Sequence, residues 1–180
     1  SEMYAPDASV FVEEAAIACG MEGDSRPGHF RGVATIVVKL FNLVMPEVAV
    51  LGEKDWQQTA LIKRVARDLD LSMRINTVST VREPDGLAVS SRNVYLDDSE
   101  RGQAAVLWQA IGLARKAARR GSLHGLKQKV RLFIEKQPDA RVEYVEFFDE
   151  QTMKPAKPRR GVRMALAAYI GKTRLIDNAR

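Results

Sequence analysis

The sequence predicts an α/β fold in which a parallel sheet is followed by a smaller α+β unit. An apolar segment at residues 48–52 and an alternating segment at residues 73–81 have the composition of strands. The amphipathic segment between them predicts a helix, so the three elements form a right-handed crossover between parallel strands. Nearer the carboxyl end, residues 142–149 and 163–171 predict a pair of antiparallel strands.

The amino-terminal part is predicted to contain two helices around its first strand. Residues 33–44 are mostly apolar and end before Pro46, which indicates a largely buried helix, although their β-branched content leaves a strand as the alternative. The segment "VAVLG", residues 48–52, is short, continuous and β-branched, as expected of a strand covered on both faces. The next helix is predicted over residues 55–70. Its apolar stripe consists of Leu61, Ile62, Val65, Ala66 and Leu69.

A polar loop at residues 82–93 follows the second strand, because a proline and an Asp-Gly pair disfavour a longer strand there. Asp97 and Glu100 have the spacing of a capping box, which opens a helix that extends to about Arg119. A further helix is predicted over residues 123–136, before the antiparallel strands.

The two parts of the chain differ in charge as well as in predicted structure. The domain boundary is predicted near residues 94–98, which gives one domain of residues 1–95 and one of residues 96–180. Residues 1–100 hold 10 Lys or Arg against 16 Asp or Glu, a net charge of −6, and the remainder holds 18 against 7, a net charge of +11. The basic half could attract nucleic acid or a small polyanion such as a nucleoside triphosphate. Its basic run "KPAKPRR" has no interleaved aromatic residues, so we expect no nucleic-acid partner.

The composition also limits the cellular setting. With 46% hydrophobic residues in 180, the chain is globular and long enough for one domain with a smaller second one. Its apolar stretches are shorter than the roughly 20 residues that cross a bilayer, and its amino end lacks the pattern of an export signal. We therefore expect no membrane partner. The single cysteine, Cys19, suits the cytoplasm and is interpreted as a buried small residue rather than a catalyst.

Polar side chains cluster in the turn between the strand at residues 48–52 and the helix that follows. Ligands of open α/β sheets bind at the carboxyl ends of strands, where helix amino termini present N–H groups. Gly52 would allow close approach of a ligand, Lys54 could contact phosphate, and Asp55 could accept from a sugar hydroxyl or a base. The alternative is that Asp55 and Gln58 form an ordinary capping pair.

A second polar cluster, "SSRN" at residues 90–93, ends the loop after the next strand. It supplies two hydroxyls and a guanidinium, a combination suited to a polyphosphate. The alternative is a turn that only caps the junction between domains. Two polar clusters after successive parallel strands are expected to converge on one crevice. The pair therefore favours a nucleotide site.

Two long segments carry a more specific pattern. They are "EGDSRPGHFRGVATIVVKLFNLVMPEVAVLGEKDWQQTALIKRVARDL" at residues 22–69 and "TVREPDGLAVSSRNVYLDDSER" at residues 80–101. These segments, and more loosely "TRLIDN" at residues 173–178, resemble the pantothenate synthetase (pantoate–β-alanine ligase) family. The resemblance implies an α/β fold with a Rossmann-like nucleotidyltransferase parallel sheet, present here in part, followed by a small α+β carboxyl-terminal lid. It also implies that pantoate and β-alanine condense through a pantoyl adenylate, with ATP as co-substrate, Mg²⁺ assisting, and AMP and pyrophosphate released.

The resemblance assigns roles to residues of both polar clusters. The implied ATP-binding residues are Gly52, Glu53, Lys54 and Asp55 in a first segment, Val81 beside the adenine, and Val89, Ser90, Ser91 and Arg92 in a second segment. The family more often has Leu or Met at the position of Val89. The implied pantoate-binding residues are Gln58 and an apolar wall of Val33, Ile36, Val37 and Leu51.

The chemistry of adenylation agrees with these roles. Attack of a carboxylate on the α-phosphorus brings two anions together, so positive charge and hydrogen-bond donors must offset the repulsion. The side chains expected to supply them, and therefore to act in catalysis, are Lys54, Ser90, Ser91 and Arg92. No residue is assigned as a metal ligand.

The family also carries a His-x-Gly-His motif near its amino terminus, and neither His29 nor His124 lies in such a motif. The chain therefore corresponds to about the last two-thirds of a family member, and we expect little or no turnover from it alone. The resemblance further implies a homodimer. The alternative function is a noncatalytic module that binds nucleotides, or that binds nucleic acid through residues 101–180.

Overall fold

A computed structural model describes residues 3–120, 124–159 and 161–180. Contacts within the chain divide it into two compact units, Ser1–Val78 and Ser79–Arg180. Both combine helices with a sheet, the first parallel and the second antiparallel, so the predicted α/β fold class is confirmed.

The first unit has the predicted strand–helix–strand arrangement. Its elements are α1 (Glu22–Ser25), α2 (His29–Val44), β1 (Val48–Gly52), a 3-10 turn (Glu53–Asp55), α3 (Trp56–Asp68) and β2 (Arg74–Val78). Strands β1 and β2 pair in parallel, with Val48 opposite Arg74 and Gly52 opposite Val78. The alternative of a strand at residues 33–44 is therefore wrong. The second strand is shorter than predicted, because its pairing with β1 ends at Val78.

The core of the first unit is the apolar stripe of α3 and its neighbours. Four of the five predicted stripe residues are buried, namely Leu61, Ile62, Val65 and Ala66. They are joined in the core by Ile17, Phe30 and Ala34. The fifth prediction was wrong, since Leu69 follows the last residue of α3 and is 47% exposed.

Two predictions of burial in this unit were also wrong. Helix α2 buries Phe30, Ala34 and Thr35 but leaves Leu43 68% exposed. Along β1 the burial alternates between exposed and half-buried residues, so the strand is not covered on both faces. The apolar sequences of α2 and β1 predict burial on both sides of each element. The described part of the unit packs against only one side of each.

The second unit is an α+β arrangement with a three-stranded antiparallel sheet in the order β3-β4-β5. Its elements are a 3-10 helix (Ser91–Tyr95), α4 (Asp98–Ala104), α5 (Val106–Arg119), α6 (Leu126–Ile134), β3 (Ala140–Phe148), β4 (Arg163–Ile170) and β5 (Thr173–Ala179). Asp97 and Glu100 form the predicted capping box. The single helix predicted after them is two helices, α4 and α5, separated at Ala105. The predicted start of the next helix, at residue 123, lies outside the described residues.

Helices α5 and α6 cover the sheet and form the larger hydrophobic core with it. Central buried residues are Leu107, Ile111, Val130, Ile134, Leu166 and Ile170. Strand β5 was not predicted as a strand. Its sequence "TRLIDNA" is interrupted by polar residues, yet Asp177 and Asn178 are buried because arginines distant in the sequence pair with them.

The segment between residues 79 and 95 belongs by its contacts to the second unit. The contact division falls after Val78, before the domain boundary predicted near residues 94–98, because Arg82 and Arg92 are hydrogen bonded to β5. The assignment of residues 1–95 and 96–180 to two domains stays a prediction.

Candidate functional site

The first candidate segment is the turn after β1. Gly52 ends the strand in an extended conformation with φ −81°, and a Cβ built on it would meet no atom within 4 Å. The chain around it therefore does not require glycine for steric reasons. Thr59 is buried in α3 and donates a hydrogen bond from its hydroxyl to the Gly52 carbonyl at 3.2 Å, which fixes the turn to the helix.

The charged residues of this turn occupy its 3-10 helix. Glu53 and Lys54 are half-buried, and both interact with other groups of the protein. Asp55 is exposed and precedes α3, but its side chain makes no capping hydrogen bond. The alternative of an Asp55–Gln58 capping pair is therefore wrong. Gln58 is half-buried in the first turn of α3.

The neighbouring Gln57 is a structural residue that sequence reasoning missed. It is 6% exposed, and its Nε2 lies 2.9, 3.2 and 3.1 Å from the carbonyl oxygens of Ile17, Cys19 and Gly20. Adjacent glutamines thus have different surroundings, and nothing in the sequence distinguishes them. The same loop leaves Cys19 exposed, so its predicted burial was wrong.

The four apolar residues predicted to contact pantoate are half-buried in the first unit. Val33, Ile36 and Val37 follow helical spacing on α2, which places them along one stripe. Leu51 is on β1, one residue before Gly52. These side chains are partly accessible, and their predicted role as one wall stays a prediction.

The second candidate segment is the loop from Val81 to Arg92 in the second unit. The backbone N–H of Val89 donates to the carbonyl of Val81 at 3.0 Å. The structure therefore brings together two of the residues predicted to bind ATP, which are eight positions apart in the sequence. The side chains of Val81 and Val89 are 70% and 46% exposed, respectively.

The hydroxyls and guanidinium of "SSRN" have distinct environments. Ser90 precedes the 3-10 helix, and its Oγ accepts a hydrogen bond from the Arg92 backbone N–H at 3.2 Å, so this hydroxyl does cap a turn. Ser91 is exposed. Arg92 Nη1 donates to the Arg174 carbonyl on β5 at 3.0 Å. Asn93 Oδ1 is buried and has no hydrogen-bond partner among the described residues.

Arg82, at the start of this loop, is a second residue that the sequence analysis missed. Its Nη1 and Nη2 donate to the carboxylate of buried Asp177 on β5 at 2.6 and 2.9 Å, and Nη1 also donates to the Gly86 carbonyl at 3.0 Å. Its guanidinium carbon lies 3.7 Å from the ring centroid of Trp108. Arg115 stacks on the same ring at 5.2 Å, and burial, then the charges of neighbouring arginines, lower its pKa.

Part of the basic charge of the second unit is used in internal ion pairs. Arg101 on α4 contacts Asp85 of the loop at 2.5 Å, and this hydrogen bond holds the pKa of the Asp85 carboxyl below its usual value. Other pairs join Arg82 to Asp177, Lys127 to Glu146, Arg131 to Glu135, Arg163 to Glu150 and Arg174 to Glu143. Such pairing reduces the positive field available to a nucleic acid.

The described residues contain no group of three or more His, Cys, Asp or Glu side chains arranged to hold a metal ion. Over the same residues, no helix combines the length and the apolar character needed to cross a bilayer. The first and second candidate segments lie in different units, and their convergence on one crevice stays a prediction.

Comparison with known proteins identifies similar sequences along the whole chain. The family model described as Pantoate-beta-alanine ligase matches residues 1–180. The chain is 46% identical over 180 residues to a pantothenate synthetase from Thermotoga neapolitana, with 98% of the chain and 64% of that protein covered. It is 48% identical over 181 residues to a pantothenate synthetase from Anaeromyxobacter dehalogenans, with 99% and 62% covered. The chain thus spans less than two-thirds of the length of these relatives.

Solved structures are similar in fold as well as in sequence. A crystal structure of pantothenate synthetase from Thermus thermophilus matches with a TM-score of 0.92 and 39% identity, covering 99% of this chain and 66% of that one. A structure of pantoate-beta-alanine ligase from Francisella tularensis, complexed with beta-gamma ATP and beta-alanine, matches with a TM-score of 0.74 and 35% identity. It covers 97% of this chain and 59% of that one.

Proposed function

Because the chain belongs to the pantoate-beta-alanine ligase family, we propose that the protein carrying it joins pantoate to β-alanine at the expense of ATP. The observation that carries this proposal is the family match over residues 1–180. The complex of a Francisella tularensis relative with beta-gamma ATP and beta-alanine supports ATP and β-alanine as two of the substrates.

Each candidate segment, taken by itself, carries groups suited to ATP. Gly52 leaves open space at the end of β1, where the backbone can approach a phosphate, and Glu53, Lys54 and Asp55 follow it. In the second segment, Val81 and Val89 are held side by side and present accessible apolar surface to the adenine. Ser90, Ser91 and Arg92 follow directly and supply donors for the phosphates.

Pantoate is bound by Gln58 and the apolar residues near β1. Gln58 lies in the first turn of α3, where the helix amino terminus favours a carboxylate. Val33, Ile36, Val37 and Leu51 are half-buried, and they contact the branched hydrocarbon part of pantoate. Bound in this way, pantoate has its carboxylate near the first candidate segment.

The reaction proceeds in two steps. In the first, a carboxylate oxygen of pantoate forms a bond to the α-phosphorus of ATP, and the bond from that phosphorus to the bridging oxygen breaks, releasing pyrophosphate and leaving pantoyl adenylate. Lys54, Ser90, Ser91 and Arg92 stabilise the charge that moves onto the departing pyrophosphate, and one such preorganised donor is typically worth about 3–4 kcal/mol. In the second step the amine of β-alanine attacks the acyl carbon, loses a proton and displaces AMP.

Mg²⁺ enters with ATP as part of the substrate. Magnesium in such sites is held chiefly by phosphates and water with one or two carboxylates, so no protein cage is needed. When bound with ATP, the ion would offset the negative charge of the phosphates as the pantoate carboxylate approaches.

The protein acts as a homodimer in the cytoplasm, without a membrane or nucleic-acid partner. The presence of one cysteine in the 180 residues supports the cytoplasmic setting. Sedimentation equilibrium of the full protein tests the dimer, since a mass that fits one copy at all concentrations contradicts it. Residues 1–180 alone turn over little substrate, because the relatives are longer than the matched region.

The test is formation of AMP that depends on both pantoate and β-alanine. The full protein should release AMP and pyrophosphate in equal amounts, whereas residues 1–180 alone should bind ATP with little turnover. Robust turnover by residues 1–180 contradicts the proposed dependence on further sequence. If the full protein forms no AMP but binds DNA or RNA with steep salt dependence, the basic-module alternative is correct.

A further inference from the structure

Arg82 of the loop and Asp177 of β5 form a largely buried ion pair with two hydrogen bonds. The Asp177 side chain is 2% exposed and that of Arg82 is 17% exposed, so both charges have lost most of their water. Burial of this kind is tolerated only with close, well-oriented partners. Two parallel hydrogen bonds supply them, and the face of Trp108 covers the guanidinium.

This anchor fixes one end of the second ATP segment. From Arg82 the chain makes a turn in which the Glu83 N–H donates to the Leu87 carbonyl at 2.8 Å, and it returns so that Val89 is bonded to Val81. Gly86 at the tip has φ +92°, and a Cβ there would overlap the Trp108 ring. These contacts restrict movement of the loop relative to Trp108 and β5.

The other end of the segment has an anchor on the same strand. Arg92 Nη1 donates to the Arg174 carbonyl, three residues before Asp177 on β5. The two serines lie between these anchors, whose guanidinium groups are bonded to Asp177 and to the Arg174 carbonyl. The positions of the serines therefore follow from the two arginines and from β5.

We propose that Arg82 is a positioning residue that, through Asp177 and Trp108, holds Val81, Val89 and the serine pair in the geometry that binds ATP. This inference rests on the proposed function, because it assigns the same loop to the nucleotide. Arg82 does not touch the substrate. Its planar fork makes three hydrogen bonds at once, which a lysine at this position cannot reproduce.

The test compares Arg82→Gln and Arg82→Lys with two matched controls in the full protein. Arg101→Gln removes the exposed ion pair with Asp85 in the same loop. Arg163→Gln removes another buried guanidinium, which is 5% exposed and pairs with Glu150 and with Asn178 on β5. The KM for ATP, the KM for β-alanine and kcat are measured at a temperature at which circular dichroism finds each variant folded.

Arg82→Gln should raise the KM for ATP at least about tenfold, because the groups that bind ATP are then held less accurately. The KM for β-alanine should stay unchanged. Arg82→Lys should give a smaller rise, and both controls should keep the wild-type KM for ATP. A KM for ATP that is unchanged in folded Arg82→Gln, or raised equally in Arg163→Gln, overturns the positioning role. Inactive wild-type protein would instead overturn the proposed function.

If Arg82→Gln does not fold, Asp177→Asn provides the same comparison. Asparagine keeps the volume of the side chain and one acceptor for Arg82 but removes the charge. It should raise the KM for ATP and leave the KM for β-alanine unchanged. An unchanged value in folded Asp177→Asn overturns the inference.

Discussion

The side-chain oxygen of Gln57 accepts a hydrogen bond from the backbone N–H of Glu22 at 3.1 Å, across 35 positions of sequence. The amide nitrogen of the same side chain faces carbonyl oxygens of residues 17–20. One buried amide therefore supplies hydrogen bonds that the irregular segment before α1 cannot make within itself. Among the described residues no comparable hydrogen bonds are found for the adjacent Gln58, whose proposed role is to bind pantoate.

Gln57→Leu should destabilise the protein by about 1–3 kcal/mol, because it leaves buried backbone groups of the segment unsatisfied. Gln58→Leu should leave the free energy of unfolding nearly unchanged and raise the KM for pantoate. Urea denaturation and steady-state kinetics on both variants test the pair. Equal losses of stability in the two variants would contradict the division of roles.

Lys54→Ala in the full protein should depress the adenylation step by about 100- to 1,000-fold, because a cation near the phosphates no longer stabilises the developing charge. The burst of pyrophosphate measured by rapid quench reports this step directly. Lys63→Ala is the matched control, since Lys63 is exposed on α3 and contacts the Trp56 ring. A normal burst in Lys54→Ala would remove this lysine from the site.

Gly86→Ala should cost about 2–4 kcal/mol of stability, because alanine disfavours φ +92° and its Cβ overlaps Trp108. Gly112→Ala is the opposite case. It lies within α5 with no atom within 4 Å of a built Cβ, and alanine there should stabilise the helix by about 0.5–1 kcal/mol. Thermal and urea unfolding of both variants measures the expected loss and the expected gain of stability. A Gly86→Ala variant as stable as the wild type contradicts the close packing of the loop.

The ion pair between Asp85 and Arg101 should make stability depend on pH in the acid range. The hydrogen bond from Arg101 lowers the pKa of Asp85 in the folded state, so the pair stabilises the fold above the unfolded pKa of about 3.9. That contribution is lost as the pH falls through the lower folded pKa. Asp85→Asn keeps an acceptor for the Leu87 N–H and removes the charge.

The urea midpoints of wild type and Asp85→Asn should therefore differ at pH 6 and converge towards pH 3. Because the two side chains are 34% and 39% exposed, solvent and salt should keep the difference between the urea midpoints small. A gap that stays constant between these pH values would mean that the carboxylate charge contributes nothing.

Local patterns predicted the elements that depend on short-range physics. The capping box at Asp97 and the stripe of α3 follow from spacing within one or two helical turns. The capping box and four of the five stripe residues are confirmed. Strand β5 was missed because its polar residues Asp177 and Asn178 break the apolar pattern. Their burial is compensated by Arg82 and Arg163, whose pairing depends on the folded chain.

For the candidate site, sequence reasoning named the residues but not what holds them. The sequence of the segment was compatible with both an exposed Ser91 and a Ser90 that caps a turn, and the structure has both. The anchors at Arg82, Arg92 and Gln57 join positions 35 to 95 residues apart, and no local periodicity encodes such distances.

The sequence by itself determined the α/β class, the parallel crossover, the capped helix and the family, because each of these is written in local periodicity or in contiguous motifs. Tertiary structure alone decided that one glutamine of a pair is buried and that the serine-containing loop is fixed to β5. The physical reason is that a buried polar group is stable only where its partners converge in space, and that convergence exists only in the folded chain.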